Sequence, residues 1–193
     1  MIIQPRGTSG SGKSWVVRNV IKRLTEYGWE LEPHYRTRGR RPYYYTSRRG
    51  LVILGHYERP EGGGCDDVDL SSPREIYELI REIAPNPDKR IVLCEGVLLS
   101  EDVKHTTLGK HDGTLPDVKP IFLTTGMEKC LEQILSRRET VGNTRPLNQL
   151  KHVVRGGTIE RSRLRLIVAG VSCRRMPSKQ AVEVILKWIK NNH

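Results

Sequence analysis

No apolar run in this sequence is long enough to cross a membrane, and Met1 leads directly into a strand pattern rather than a signal peptide. The sequence also lacks any Cys-x-x-Cys pair, because its four cysteines are scattered. We therefore expect a reducing cytoplasm and no zinc site. The cysteines are Cys65, Cys94, Cys130 and Cys173, of which Cys94 and Cys130 are expected to be buried.

Sequence features of two classes of nucleotide-binding protein, the regulatory GTPases and the motor-type ATPases, are also missing. The Asn-Lys-x-Asp sequence with which GTPases read guanine does not occur, which argues against a regulatory GTPase. The chain of 193 residues is shorter than motor-type ATPases need. It suits a single domain over residues 1–193, with 36% apolar residues to form a core.

Acidic residues are scarce relative to basic ones. The chain has 22 Asp and Glu against 33 Lys and Arg, which gives a formal net charge of +11. A field of this sign favours a polyanionic partner, above all nucleic acid. The alternative is a solvated basic face on an ordinary enzyme.

An insert over residues 34–49 has no acidic residue and is rich in arginine and tyrosine. Arginine neutralises phosphate and stacks on bases, and tyrosine offers further stacking surfaces. We expect the insert to contact nucleic acid, with Arg41, Tyr43 and Tyr44 as candidate binding residues. The alternative is a β-hairpin whose tyrosines pack on the sheet, with Tyr43 and Tyr45 on one face and Tyr44 on the other.

A phosphate-binding loop stands near the start of the chain. Its glycines allow backbone N–H groups to surround a phosphate, its lysine can contact the β- and γ-phosphates, and its last hydroxyl can ligate Mg²⁺. The context fits, because a strand over Met1–Gln4 precedes the loop and a helix over Ser14–Tyr27 follows it. The loop residues are Gly7, Thr8, Ser9, Gly10, Ser11, Gly12, Lys13 and Ser14.

Further strands and helices alternate after the loop, which predicts a three-layer α/β fold with a mainly parallel central sheet and flanking helices. The residues of Val97–Lys110 are expected to form a helix or an irregular cover, and Ser178 is expected to cap the closing helix. Strands are predicted over Trp29–Tyr35, Leu51–Gly55, Arg90–Cys94, Lys119–Thr124 and Gly170–Met176.

The apolar run before Glu95 places a carboxylate at the end of a strand, which is the Walker B arrangement with Glu in place of the commoner Asp. Such a carboxylate holds Mg²⁺ directly or through water. Downstream of a phosphate loop, Glu95 and Ser14 are therefore the candidate metal ligands.

A second strand end and a glycine loop are the candidate acceptor site, since open α/β sheets bind ligands at the carboxyl ends of their strands. His56 and Tyr57 are candidate substrate-binding residues, with a strand-end packing pair as the alternative. Asp66 is the candidate general base, with Asp67 and Asp69 as rivals. Each of these carboxylates could instead be a loop residue or a helix-start anion.

The region over residues 137–157 is basic, and Gly156-Gly157 within it could serve as a hinge. These features predict a lid whose arginines close over the transferring phosphoryl group. Arg137 and Arg138 are the candidate catalytic arginines, and Arg145 is a candidate substrate contact. The alternative is a basic helical surface that touches backbone phosphate only, or nothing.

The chain resembles the P-loop kinases of the nucleoside and nucleotide kinase group through its phosphate loop, Glu95 and Arg137-Arg138. The resemblance implies ATP and Mg²⁺ as cofactors, about five parallel strands and a mobile arginine lid. The stretch from Leu51 to Asp66 is similar to phage P-loop kinases that include the 5-hydroxymethyluracil DNA kinases. These are understood to phosphorylate the hydroxymethyl group of the base within DNA, which implies DNA containing a modified thymine as partner.

Two other acceptors remain open at this stage. A kinase of a free nucleoside or nucleotide would explain every motif and leave only the charge unexplained. A polynucleotide 5′-hydroxyl kinase would explain the motifs and the charge. An ATP-controlled nucleic-acid-binding module, which has no acceptor at all, is the alternative outside the kinases.

Overall fold

The computed structural model describes residues 1–35, 42–58, 63–68, 70–84, 90–111 and 117–192, without the side chains of residues 67 and 109–111. Its strands are β1 (Ile2–Arg6), β2 (Glu32–Tyr35), β3 (Pro42–Thr46), β4 (Leu51–Leu54), β5 (Ile91–Cys94), β6 (Val118–Leu123) and β7 (Arg174–Met176). Its helices are α1 (Lys13–Glu26), α2 (Pro73–Ile83), α3 (Val97–Glu101), α4 (Lys104–His111), α5 (Met127–Thr140), α6 (Gln149–Val168) and α7 (Ser178–Asn191).

One seven-stranded sheet organises the described part of the chain, in the order β2-β3-β4-β5-β1-β6-β7. Five adjacent strands, β4-β5-β1-β6-β7, pair in parallel. Strand β3 pairs antiparallel with both β4 and β2. The predicted α/β fold with a mainly parallel sheet is therefore confirmed. The antiparallel pair β2–β3 extends the sheet at one edge.

Strand β1 lies near the middle of the sheet, and its two faces belong to two hydrophobic clusters. Ile3 packs with apolar residues of α1 and α7, whereas Ile2 packs with those of α2. Both isoleucines are fully buried. A parallel sheet covered on both faces needs such continuous apolar strands. Burial on both faces fixes the position of the loop that follows β1.

Several predicted boundaries differ from the structure; β1, for example, runs over Ile2–Arg6 rather than Met1–Gln4. Strand β2 begins at Glu32 rather than Trp29, because Gly28 turns the chain at φ 76° and Trp29 packs into the core. Strand β7 is limited to Arg174–Met176. The segment after Val97 forms two helices, because the carboxylate of Asp102 accepts hydrogen bonds from backbone N–H groups at the start of α4.

The predicted hinge residues Gly156 and Gly157 do not interrupt the chain but lie within the continuous helix α6. A Cβ atom at Gly156 would lie 2.6 Å from Cε of Met127 and 3.6 Å from Cγ2 of Thr8. The missing side chain thus lets α6 approach the start of α5 and the loop after β1. Glycine serves close packing at this position.

The prediction that Tyr43 and Tyr45 share one face of β3 is also wrong. The pairing of β2 with β3 shifts after His34 and Tyr44, so that Tyr35 pairs with Pro42 and Tyr43 is left out of the register. Such a bulge interrupts the alternation of side chains along the strand. Tyr43 and Tyr44 therefore pack against the same hydrophobic cluster, and their ring centroids lie 6.2 Å apart. Tyr45 packs into the other cluster.

The helices within the described residues include none with the length and apolar character that a membrane crossing requires. All four cysteines are free, and Cys65, Cys94 and Cys130 are buried.

Candidate active site

The loop between β1 and α1 curves through left-handed glycine conformations. Gly10 has φ 77° and Gly12 has φ 93°, a region that residues with side chains rarely adopt. A Cβ atom at Gly10 would lie 2.2 Å from the carbonyl oxygen of Cys130. The two glycines therefore permit a backbone path that brings the loop against α5.

Side chains from distant elements hold this loop in place. The carbonyl of Ser11 accepts hydrogen bonds from the hydroxyls of Thr125, at 2.8 Å, and Ser178, at 3.3 Å. The Gly7 N–H donates to Oγ of Ser100 on α3, at 3.1 Å. Ser178 was predicted to cap α7, but Pro177 occupies the N-cap position and the Ser178 hydroxyl supports the loop instead.

Lys13 begins α1 and is 6% exposed. Its ammonium donates hydrogen bonds to the carbonyls of Gly7, at 3.0 Å, and Thr8, at 2.9 Å. Burial lowers the pKa of Lys13 from its ordinary value, and the nearby carboxylates of Glu95 and Asp66 oppose this shift. The cation thus lies inside the curve of the loop, beside the positive end of the α1 dipole. Both features favour an anionic ligand there.

Ser14 and Glu95 form the direct link between the loop and the end of β5. The Ser14 hydroxyl donates to Oε1 of Glu95 at 2.7 Å, and Glu95 is 1% exposed. Burial raises the pKa of Glu95 to about 7, although Lys13 and the bond from Ser14 lower it. Mg²⁺ is bound in kinases by oxygen ligands from one or two carboxylates together with phosphates and water. A hydroxyl and a carboxylate at this distance fit that ligand set.

The raised pKa of Glu95 has a measurable effect on folding. A glutamate of ordinary pKa 4.5 loses its proton in the unfolded state before Glu95 does in the folded state. The metal-free protein should therefore lose stability as the pH rises from about 4.5 to about 7. Glu95→Gln should raise the free energy of unfolding at pH 8 by on the order of 3 kcal/mol, with little change near pH 4.5.

Urea denaturation of the metal-free protein at the two pH values measures this difference. Glu132→Gln is the matched control, because Glu132 is an exposed carboxylate on α5. A gain from Glu95→Gln that is equal at both pH values would contradict a raised pKa at Glu95.

The glycine loop after β4 packs directly on Glu95. A Cβ atom at Gly64 would lie 2.4 Å from Oε1 of Glu95, and one at Gly55 would lie 2.6 Å from the carbonyl carbon of Gly64. The N–H of Cys65 donates to the carbonyl of Glu95 at 2.8 Å. The glycines thus bring the candidate acceptor loop against the candidate metal ligand.

Asp66 is exposed and lies in a short 3₁₀ turn, Cys65–Asp67. Its carboxylate oxygens accept hydrogen bonds from the Val97 N–H at 2.8 and 3.1 Å. Asp66 therefore caps the start of α3 while it also lines the same cavity as Lys13. Asp69 and the side chain of Asp67, its predicted rivals, lie outside the described part of the chain.

A cavity of about 380 Å³ opens between the phosphate loop, the glycine loop and α5. Of the predicted lid arginines, Arg137 lines this cavity. The guanidinium of Arg138 instead donates to Oδ1 of Asn143 at 3.2 Å and to the carbonyl of Arg145. Arg145 is exposed in the connection between α5 and α6. The three arginines thus occupy different environments in this structure.

The predicted contacts of the substrate base are mostly buried. His56 and Tyr57 are buried, and the Tyr57 hydroxyl donates to the carbonyl of Leu54 at 3.3 Å. Tyr43 and Tyr44 are half-buried, and the ring of Tyr44 stacks on His34 with centroids 4.5 Å apart. None of these four residues belongs to the described lining of the cavity. Their role in substrate binding stays a prediction.

The predicted insert over residues 34–49 is divided between the two ends of the sheet. Tyr35 pairs with Pro42 at the end of the sheet where β4 and β5 finish, which is also the end at which Glu95 follows β5. Arg48 and Arg49 lie in the turn before β4, at the opposite end. The guanidinium of Arg49 lies 4.9 Å from the ring centroid of Trp29. Arg41 and the other residues of 36–41 lie outside the described residues.

Sequence reasoning missed several residues that line the cavity. Four of them lie on α1 and α5, and the fifth is the first residue of α3. For the two residues of α1 the available signal was helical periodicity, because they fall off the stripe of buried valines. The missed residues are Trp15, Arg18, Val97, Gln133 and Ser136.

Comparison with known proteins identifies a relative that shows the family of this chain. The chain is 38% identical over 141 residues to a curated protein described as "5-hmdU DNA kinase" from Pseudomonas phage PaMx11. The match covers 71% of this chain and 69% of the relative. No protein-family model matches the chain.

Proposed function

This chain belongs to the family of the phage 5-hmdU DNA kinases, and we propose that it transfers the γ-phosphate of ATP to the hydroxymethyl group of 5-hydroxymethyluracil in phage DNA. That the chain is a kinase follows from its similarity to the phage relative. The observation that carries the proposal for this chain's own residues is the 2.7 Å hydrogen bond between Ser14 and Glu95. It joins the phosphate loop to a strand-end carboxylate, beside the buried ammonium of Lys13.

The residues of the loop would bind and orient the phosphates of ATP. Backbone N–H groups of Gly10, Gly12 and Lys13, together with the Lys13 ammonium, would stabilise the charge on the transferring group. Ser14 and Glu95 would hold Mg²⁺, whose chemistry when bound is to neutralise charge on the β- and γ-phosphates.

Asp66 is the proposed general base. The acceptor oxygen forms a bond to the γ-phosphorus as the bond from that phosphorus to the bridging oxygen of ADP breaks, and the hydroxyl proton passes to the carboxylate. The support for Asp66 is its exposed carboxylate at a cavity that Lys13 and Glu95 also line. Its two hydrogen bonds from Val97 orient the carboxylate.

Arg137 is the favoured arginine for the transferring phosphoryl group, because it lines that cavity. The Arg138 guanidinium would need to exchange its hydrogen bond to the Arg145 carbonyl for a substrate contact. A charge-stabilising arginine is worth about 10³-fold or more in the rate of phosphoryl transfer in related systems.

The DNA acceptor accounts for the charge of the chain and for the position of the insert. Tyr35 and Pro42 are the described residues that flank 36–41. They lie at the end of the sheet where β4 and β5 finish, the same end as Glu95. Arginines of this segment, Arg41 among them, are proposed to contact the DNA backbone near the cavity. A base in duplex DNA would have to be extruded to reach the cavity, at a cost of a few kcal/mol. DNA in the host cytoplasm is the proposed setting.

Transfer of labelled γ-phosphate from ATP to four acceptors tests the proposal. The acceptors are duplex DNA with 5-hydroxymethyluracil, the same duplex with thymine, a 5′-hydroxyl oligonucleotide and a mixture of free nucleotides. Label on the first alone, recovered in an internal nucleotide, is the expected result. Label at a 5′ end indicates a polynucleotide kinase, and label only on free nucleotides indicates a small-molecule kinase. ATP hydrolysis without label on any acceptor indicates a binding module.

Salt should affect DNA phosphorylation much more than the binding of ATP. A protein that neutralises several phosphates with Lys and Arg releases counterions, and its affinity falls steeply as salt rises. We expect the KM for the modified duplex to rise at least about tenfold between 50 and 200 mM salt. The KM for ATP, measured at saturating DNA, is the internal control. A KM for DNA that is insensitive to salt would contradict backbone contacts by the basic surface.

A further inference from the structure

We propose that Trp15 and Arg18 form the binding site for the acceptor nucleotide, with the indole stacking on the extruded base and the guanidinium contacting its phosphodiester. This inference rests on the proposed function and deepens it. Neither residue belongs to the phosphate-binding motif or to the predicted lid. Both line the cavity of about 380 Å³ together with Lys13 and Asp66.

The two side chains are neighbours on α1. They are separated by three positions, the spacing at which helical side chains lie on the same face. Val16, Val17 and Val20 of the same helix are buried in the core, so this spacing turns Trp15 and Arg18 outward. Arg18 follows Ser14 by four residues and so lies on the same face of the helix as the loop's last hydroxyl, and Trp15 lies beside this face.

The side chain of Trp15 is exposed to solvent and so is accessible to a ligand. It is 41% exposed, whereas Trp29 is buried and Trp188 is partly buried against the core. A large apolar ring costs free energy when it stays in water. Every base offers a flat face to such a ring, so stacking on the indole would hold an extruded base independently of its hydrogen-bonding edge.

Arg18 brings a positive charge to the acceptor side of the cavity. Its guanidinium lies within electrostatic range of the Glu95 carboxylate, which follows β5, and near the neutral side chain of Tyr57, which follows β4. These strands lie on one side of β1, and the glycine loop with Asp66 lies on that side too, whereas β6 and β7 lie on the other. A guanidinium there suits a phosphodiester, because its planar donors match phosphate oxygens.

The shared placement explains why a nucleotide, rather than a base alone, fits the site. The aromatic face and the cation are one helical turn apart, which is comparable to the separation of a base from its own phosphate. Asp66 lines the same cavity and would meet the hydroxymethyl group of the stacked base. The site would then orient the acceptor oxygen towards the phosphate loop, so that ATP and DNA meet at Lys13.

Steady-state kinetics with the modified duplex test this inference. Trp15→Ala should raise the KM for the duplex about 10- to 100-fold, with the KM for ATP within twofold of wild type. Trp15→Phe keeps a ring and should show a smaller effect. Arg18→Gln should raise the KM for the duplex about tenfold and reduce its dependence on salt by about one unit of log–log slope. Lys187→Gln, an exposed cation on α7, is the control for the lost charge.

Tryptophan fluorescence gives a second measurement that does not depend on turnover. Addition of the modified duplex without ATP should quench the emission of wild type and of Trp188→Phe, and the quenching should be lost in Trp15→Phe. An unchanged KM for the duplex in Trp15→Ala would overturn the inference. A rise in the KM for ATP alone would overturn it as well, and would assign the indole to adenine.

The outcome for wild type separates this inference from the proposed function. A wild-type enzyme that labels the modified duplex, with variants that bind it normally, contradicts only the roles of Trp15 and Arg18. A wild-type enzyme that labels only free nucleotides contradicts the DNA acceptor, and the proposed site with it.

Discussion

Lys13→Ala is expected to abolish phosphoryl transfer, with a loss of at least about 10³-fold in kcat/KM, while the protein remains folded. The ammonium lies inside the curve of the phosphate loop and is the cation nearest to where the γ-phosphate would be bound. Its present partners, the carbonyls of Gly7 and Thr8, can accept hydrogen bonds from water once it is removed. We therefore expect a large loss of kcat/KM and little loss of folding stability.

The control for this variant lies on the same helix. Lys22→Ala removes an exposed lysine that pairs with Glu26 in the next turn, so it should leave turnover within about twofold of wild type. Circular dichroism and thermal unfolding establish that both variants fold. Transfer by Lys13→Ala at more than about a tenth of the wild-type rate would contradict the role of the loop.

Asp66→Asn is expected to reduce kcat about 10²-fold or more with the KM for ATP kept. The amide oxygen of asparagine can still accept the hydrogen bond from Val97, so the cap on α3 is retained. The amide cannot take a proton from the acceptor hydroxyl. The substitution thus removes the proposed chemistry and leaves the structural contact.

Asp66→Ala separates the two roles. It removes the base and the cap together, so it should lower the thermal midpoint, whereas Asp66→Asn should leave it nearly unchanged. Equal kcat values for the two variants, both far below wild type, would identify proton transfer as the main loss. If Asp66→Asn keeps its turnover and Asp67→Asn loses it, the general base is Asp67.

The sequence was sufficient to predict the α/β fold and the environment of the phosphate loop. Both depend on local patterns, because a glycine-rich turn with Lys13 and Ser14 imposes its own backbone path, and the short, β-branched apolar run before Glu95 favours a buried strand. The pairing of Ser14 with Glu95 follows from the order of β1 and β5 in the sheet.

Features that depend on contact between distant elements could not be predicted in this way. Gly156 has the composition of a hinge but is required by the approach of Met127, a residue 29 positions earlier. Tyr43 leaves the strict alternation because of a bulge against β2. Asp66 caps a helix that starts 31 residues later. Propensity and periodicity carry no information about such partners.

The short helix α3 has a consequence for how the two substrates influence each other. Asp66 holds its first turn, and Ser100 on its next turn accepts the hydrogen bond from Gly7 of the phosphate loop. One turn of backbone therefore connects the proposed general base to the loop proposed to bind ATP. If the two substrates bias this helix, thermodynamic linkage requires their effects to be reciprocal: bound DNA would alter the affinity for ATP by the same factor as bound ATP alters that for DNA.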